Sequence, residues 1–164
     1  MEYLKSLGQP SEGGDCFLCG YAAAPELDEQ NHVLWRSPHT LVLLNRFPYT
    51  NGHLLIAPVL HRGGLQELPV EVLCELTLRI RDALTVLRRV VEAQGFNVGM
   101  NLGRCAGAGL PDHVHWHIVP RWAGDTNFVA VVGGVRIIPQ ELQETARAFR
   151  QAARELGLPA QAAL

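Results

Sequence analysis

Three histidines stand at alternate positions in HVHWHIVPR, residues 113–121, with Val114, Trp116 and Ile118 between and after them. Successive side chains on a β-strand point to opposite faces, so His113, His115 and His117 are expected to project from one face and the apolar residues to fill the other. Packing alone explains this poorly, because each ring brings two polar nitrogens that need partners when buried. The histidine face is therefore read as one for chemistry. Two other readings stay open beside it: a metal site, since His is the commonest metal ligand, and a solvated strand face that is merely His-rich.

Two further groups bear on that choice. Cys16 and Cys19 form the CxxC stretch CFLC, while Cys74 and Cys105 stand alone. A redox CxxC calls for an adjacent βαβ thioredoxin pattern, which the chain lacks, so zinc is favoured. CxxC supplies two ligands, and histidine is the obvious source of the rest. The stretch GRCAGAGLPD, 103–112, precedes the histidines directly, and its Gly103, Gly107 and Gly109 let backbone N–H groups approach a ligand. Alone it is a weak phosphate signal; before three coplanar imidazoles it is a stronger one. Cys105 within it is read as incidental.

The elements that must position these groups follow from periodicity. Short β-rich runs at 32–36 and 40–44 flank Ser37-Pro38 as a hairpin, and a turn-rich link leads to HLLIAPV from His53, ended by Pro58. Across 69–94 the period changes: Leu73, Leu76, Ile80, Leu84, Leu87 and Val91 mark one face of a long amphipathic helix, with Glu75 and Arg79 on its wet side, Cys74 a small apolar residue within it and Gly95 as the stop. A strand at 96–102 precedes the glycine loop. After the histidines, WAGDTNF is read as a loop returning over the site. Two short strands around Gly133-Gly134 follow, then a helix from near Pro139 with Leu142, Ala146, Phe149, Ala153 and Leu156 on one face, ended by Gly157 and Pro159.

The chain as a whole is expected to be one domain, 1–164, with a mobile arm at 1–14, a zinc-knuckle turn at 16–19 and a frayed tail at 158–164. A net charge of −2 argues against an electrostatic nucleic-acid binder. No apolar run is long enough to span a bilayer and the N-terminus lacks a signal-peptide core, so no membrane partner and a cytoplasmic location are expected.

HVHWHIV resembles the signature of the histidine triad (HIT) superfamily of nucleotide hydrolases and transferases, and LLNRFPYTNGHLLIAPVLH and NVGMNLGRCAGAG are similar to its supporting segments, so that the likeness runs from Cys16 to about Phe128. The resemblance implies an α+β, HIT-like fold, an antiparallel sheet of about five strands with a long central helix and a C-terminal helix, and a homodimer. It assigns His115 as a nucleophile forming a covalent nucleotidyl-histidine, and His117 to the phosphate oxygens and the leaving group. Asn101 and the backbone of Gly107, Ala108, Gly109 and Leu110 fall to the phosphate, Asn45 to the ribose, and the apolar residues near Leu43 to the base; Asn45 also reads simply as a turn residue before Pro48. It further implies a structural zinc held by Cys16, Cys19, His61 and His113, with His32, His39 and His53 as non-ligands and His53 structural beside Gly52.

The chain departs from the family pattern in having Gly109 where most members have Gln, and in a longer loop between Asn101 and His113. That loop and WAGDTNF are similar to a bacterial branch associated with diadenosine tetraphosphate phosphorylase activity. The implied substrate is a nucleotide or dinucleoside polyphosphate cleaved at the α-phosphorus by water or phosphate. Hydrolysis of a nucleoside phosphoramidate is the alternative within this chemistry, and a non-catalytic metal- or nucleotide-binding module the alternative outside it.

Overall fold

The computed structural model describes residues 16–126 and 141–159. In order these form helix α1 (Phe17–Ala23), strands β1 (Val33–Arg36), β2 (Thr40–Leu44) and β3 (Leu54–Pro58), the long helix α2 (Val70–Val91), strands β4 (Gly95–Met100) and β5 (Trp116–Arg121), and helix α3 (Leu142–Glu155). The strands make one antiparallel sheet in the order β1-β2-β3-β5-β4, the expected α+β arrangement.

Every residue of β2 and β3 is buried, which is why both read as continuous apolar runs: each face of the sheet is covered. Val42, Leu44, Leu54, Ile56 and Ile118 pack on one face against Leu76, Ala83, Val86 and Leu87 of α2 and Phe149 of α3. Val33, Leu41, Leu43, Leu55 and Ala57 form the other face, under Cys16 and Leu18 at the N-terminal helix. The guanidinium of Arg150 on α3 donates to the carbonyls of Val33 and Asp28, closing the β1 edge. At the opposite end, β4 pairs only with β5 among the described residues, and its Val98 is 45% exposed.

Five expectations are corrected. Glu75 and Arg79 do not sit on the wet side of α2: Glu75 Oε1 accepts hydrogen bonds from Ser37 Oγ (2.6 Å), Thr40 Oγ1 (2.9 Å) and the His39 N–H (3.0 Å), bracing the β1–β2 turn. Arg79 is buried beside Asp82, 3.5 Å away one turn on. Hydropathy finds the apolar face of a helix, but not which polar neighbours have partners that let them share it. Cys74 is exposed on α2. CxxC is no free turn, since Cys16 is the residue before α1 and Cys19 lies within its first turn. Strand β5 begins at Trp116, so the three imidazoles do not line one regular strand. The Val114 N–H donates to the Arg62 carbonyl (2.7 Å), pulling this stretch toward the segment after β3. In α3 the buried face is Thr145, Ala146, Phe149, Ala152 and Ala153, with Leu156 exposed just past its end. The arm, the start of that helix near Pro139, the two short strands around Gly133-Gly134 and the far end of WAGDTNF lie outside the described residues.

Candidate active site and metal centre

His115 leads into β5 and is only 8% exposed. Its Nδ1 lies 2.8 Å from the carbonyl oxygen of His113. A carbonyl only accepts, so Nδ1 carries the proton and Nε2 keeps a bare lone pair. Burial pushes the His115 pKa below its ordinary value, with the bond to His113 pulling the other way. The ring is thus a neutral imidazole with one defined nucleophilic nitrogen.

His117, two residues on, sits between Leu55 of β3 and Gly99 of β4 in the strand register. Its Nδ1 is 3.0 Å from Nε2 of His53, a residue that is 0% exposed. The hydrogen pattern of this pair can be read from its outer end. The Tyr49 N–H donates to His53 Nδ1 at 3.0 Å, so that nitrogen is an acceptor and the His53 proton is on Nε2. His53 Nε2–H then donates to His117 Nδ1, which leaves the His117 proton on Nε2. Burial, with His115 nearby, brings the His117 pKa down to about 4. Near neutral pH His117 therefore presents an N–H donor beside the bare Nε2 of His115, with ring centroids 5.1 Å apart.

Asn45 belongs to the same network. Its Oδ1 accepts from the Phe47 N–H at 3.0 Å, which turns its Nδ2 toward His53 Nδ1, 3.3 Å away. Leu43 is buried in the cluster that α1 covers. In the glycine loop, Asn101 Nδ2 donates to the Gly107 carbonyl at 3.4 Å, and Gly107 takes a left-handed conformation (φ 88°) that suits glycine. The N–H groups of Gly107 and Ala108 donate within the loop to the carbonyls of Arg104 and Gly103, whereas those of Gly109 and Leu110 take no part in these turn bonds.

Cys16, Cys19, His61 and His113 converge, their ligand atoms all within 4.8 Å of one another. The separations are 3.2 Å for Cys16 Sγ to His113 Nδ1, 3.3 Å for Cys19 Sγ to His61 Nδ1, 3.5 Å for Cys19 Sγ to His113 Nδ1, and 3.3 Å between the two Nδ1 atoms. A tetrahedral ion with S ligands near ~2.3 Å and N ligands near ~2.0 Å sets such atoms roughly 3.3 to 3.8 Å apart, so these residues fit a four-coordinate metal. His113 Nε2 faces the Pro58 carbonyl at 2.8 Å, which holds the proton there and turns the Nδ1 lone pair inward. Burial, opposed by that bond and aided by His61 and His115, takes the His113 pKa down to about 4. Burial, with the neighbouring Cys16 sulfur, pushes the Cys19 thiol up to about 11, as expected of a thiol pair whose charge a cation must stabilise.

Of the residues singled out from the sequence, Cys16, Cys19, His61 and His113 form one cluster, able to hold a metal, and His115, His117 and Asn45 belong to a second joined to it through His113, while Asn101 is tied to Gly107 within the glycine loop. Sequence reasoning took His53 as structural beside Gly52 and gave Tyr49 no role, so it missed their contacts with His117. The available signal was a histidine opening an otherwise apolar buried strand, where its ring nitrogens need partners; only the β3–β5 register shows His117 to be one.

An α+β protein with a fixed-tautomer histidine pair, a glycine loop before it in the chain and a Cys₂His₂ cluster is the class these features define. The chain belongs to the HIT domain family, whose profile matches residues 26–124. It is 40% identical over 128 residues to a Mycobacterium tuberculosis protein named AP-4-A phosphorylase, covering 77% of this chain and 66% of that protein, just under two thirds of its length. It is 32% identical over 95 residues to a Schizosaccharomyces pombe protein named bis(5'-nucleosyl)-tetraphosphatase (asymmetrical), covering 58% of this chain and 52% of the other. Among solved structures, it is similar to a zinc-bound histidine triad family protein from Mycobacterium smegmatis, with a TM-score of 0.71 and 26% identity over 87% of this chain and 96% of that one.

Proposed function

We propose that the chain is a nucleotidyl transferase or hydrolase that cleaves a dinucleoside polyphosphate, diadenosine tetraphosphate in type, at the α-phosphorus. The observation that carries this is the His115 Nδ1–H bond to the His113 carbonyl, which fixes the Nε2 lone pair. His115 Nε2 attacks phosphorus, an Nε2–P bond forms, the bridging P–O bond breaks, and the leaving nucleoside polyphosphate keeps the electron pair. Phosphate or water then attacks the nucleotidyl-histidine, re-forming free His115 and releasing ADP or AMP. The Gly109 and Leu110 N–H groups and the Asn101 amide are the donors nearest in role to an oxyanion cradle, and Asn45 Oδ1 keeps an acceptor lone pair for a ribose hydroxyl.

His117, neutral with its proton on Nε2, offers the leaving oxygen a hydrogen bond rather than a net proton. That favours an anionic polyphosphate leaving group over an amine. The AP-4-A phosphorylase relative and the longer glycine loop support the same substrate class, with phosphate as acceptor. Zinc held by Cys16, Cys19, His61 and His113 serves in this reading as a structural tie between α1, the end of β3 and the approach to β5. The same reading takes the chain as one cytoplasmic domain acting on small nucleotides rather than nucleic acid, in keeping with its −2 charge and with the lack, among described residues, of any helix able to cross a membrane. It also takes a homodimer, supported by the outer edge of β4, which pairs with no further strand among the described residues; sedimentation of the purified chain measures that directly.

The test is turnover of diadenosine tetraphosphate with and without inorganic phosphate. Phosphate-dependent release of ADP and ATP is expected, with acid-labile nucleotide trapped on the wild type and none on His115→Ala. Wild-type turnover by His115→Ala would exclude the mechanism, and release of AMP from phosphoramidates alone would move the assignment to that alternative.

A further inference from the structure

The mechanism above gives no role to two positions that flank His117. Tyr49, on the link between β2 and β3, is 43% exposed, yet its ring centroid lies 4.6 Å from that of His53 and 5.7 Å from that of His117, only 15° from parallel with the latter. Its backbone N–H is the donor that places the His53 proton on Nε2. One residue therefore meets the pair twice, by an amide that sets the direction of the hydrogen bonds and by a ring that lies against both imidazoles. Such a ring keeps water from the 3.0 Å bond between His53 and His117, and a hydrogen bond shielded from water is electrostatically stronger than an exposed one.

Gly99 lies directly across from His117 in the β4–β5 register, and a Cβ built on it meets nothing within 4 Å. Neither packing nor a left-handed backbone requires glycine there. Among the described residues, the flank of His117 toward β4 is thus open, while Tyr49 packs against the His53–His117 pair from the β2–β3 link.

We propose that Tyr49 is a positioning residue for departure of the leaving group: its ring holds the His53–His117 pair in the single hydrogen pattern that presents His117 Nε2–H to an anion leaving past Gly99. This rests on the nucleotidyl-transfer reading. The leaving oxygen keeps the bonding electron pair and receives a hydrogen bond, and no net proton moves, because both rings are neutral and neither can become an anion. Removing the ring lets water compete at His117 Nδ1 and lets the imidazole exchange tautomers, so the donor faces the leaving oxygen only part of the time.

The experiment compares Tyr49→Ala and Tyr49→Phe on two substrates that share the adenylyl half, diadenosine tetraphosphate and the nitrophenyl ester of AMP. Nitrophenolate spreads its charge into its own ring and gains little from the His117 donor. Removal of one oxyanion donor costs about 10² to 10³ in rate, so misaligning one is expected to lower kcat/KM on the tetraphosphate by about 10-fold in Tyr49→Ala and on the ester by less than about 3-fold. Tyr49→Phe stays near wild type on both. Long-range proton–nitrogen NMR supplies a readout without turnover: wild type and Tyr49→Phe show His117 as one tautomer, protonated on Nε2, and Tyr49→Ala shows an average of two. Equal losses on both substrates, or an unchanged His117 tautomer in Tyr49→Ala, overturns the assignment. If Tyr49→Ala does not fold, Tyr49→Leu carries the same comparison. Failure of the wild type to turn over either substrate would overturn the nucleotidyl-transfer reading instead, and the NMR comparison would still decide the role of Tyr49.

Discussion

Replacing His53 by leucine tests the site at its least exposed point. The ring is 0% exposed, and its partners include the Tyr49 N–H, Asn45 Nδ2 and His117 Nδ1. Leucine fills a similar volume and satisfies none of them. The Tyr49 amide lies on an exposed link and can turn to water, so the lasting cost falls on the other two groups. A wholly buried polar group left unpaired costs about 1 to 3 kcal/mol, but Asn45 and His117 are only half-buried, so the loss of stability should be about 1 to 2 kcal/mol. Activity should fall further than stability explains, by about 10² to 10³ in kcat, because His117 loses the donor that fixes its proton on Nε2. His53→Gln separates the two effects. A glutamine amide reaches far enough to donate to His117 Nδ1 but cannot also accept at the place of His53 Nδ1, so it should regain most of the rate and little of the stability. Urea unfolding and steady-state turnover of diadenosine tetraphosphate measure the two quantities. A His53→Leu enzyme within about 3-fold of wild type, or a glutamine variant no faster than the leucine one, would refute the hydrogen pattern on which this rests.

Elemental analysis should find about one zinc per chain, lost in Cys16→Ser and retained in His117→Ala; loss in both variants would mean that the triad itself binds the metal. Glu75→Ala should cost about 2 to 3 kcal/mol in urea unfolding, since it leaves the fully buried Thr40 hydroxyl and two more donors without their shared charged acceptor, while kcat/KM stays within about twofold; a change under about 0.5 kcal/mol would show that the bracket contributes nothing. Stability should also depend on pH through His117, whose folded pKa of about 4 lies below the ordinary 6.5. Between those values the unfolded chain takes up a proton that the folded chain refuses, so the contribution is full above the upper value and is lost as pH falls through the lower. The urea midpoint should therefore decline over that window, less steeply in His117→Gln; a midpoint equally steep in both would contradict the assignment.

What the sequence showed, it showed where one residue type has one physical use. The three-and-four spacing from Leu73 to Val91 makes one apolar face of a helix that must be covered by the core, and α2 fills all but the ends of the expected span. Alternating histidines and CxxC pointed to Cys16, Cys19, His113, His115 and His117 of the two clusters, and the family resemblance added His61 and Asn45. Hidden from it was whatever depends on which strands are neighbours. His53 and His117 are 64 positions apart and meet only because β3 pairs with β5, an order no local pattern encodes. Glu75 was misplaced for the same reason: a carboxylate on a helix reads as solvated unless the turn it grips is known to lie beneath it.

The alternate spacing of the histidines also explains how the two clusters come to be joined. Residue 113 gives up three different atoms: Nδ1 to the cysteine–histidine cluster, Nε2–H to the Pro58 carbonyl, and its own carbonyl oxygen to His115 Nδ1 two positions on. The first two bonds fix the ring, a fixed ring restrains the backbone that bears it, and the direction of the carbonyl decides which nitrogen of His115 is bare. The cluster that can hold a metal therefore shapes the nucleophile without touching substrate, through a peptide carbonyl that no side-chain substitution at position 115 can supply.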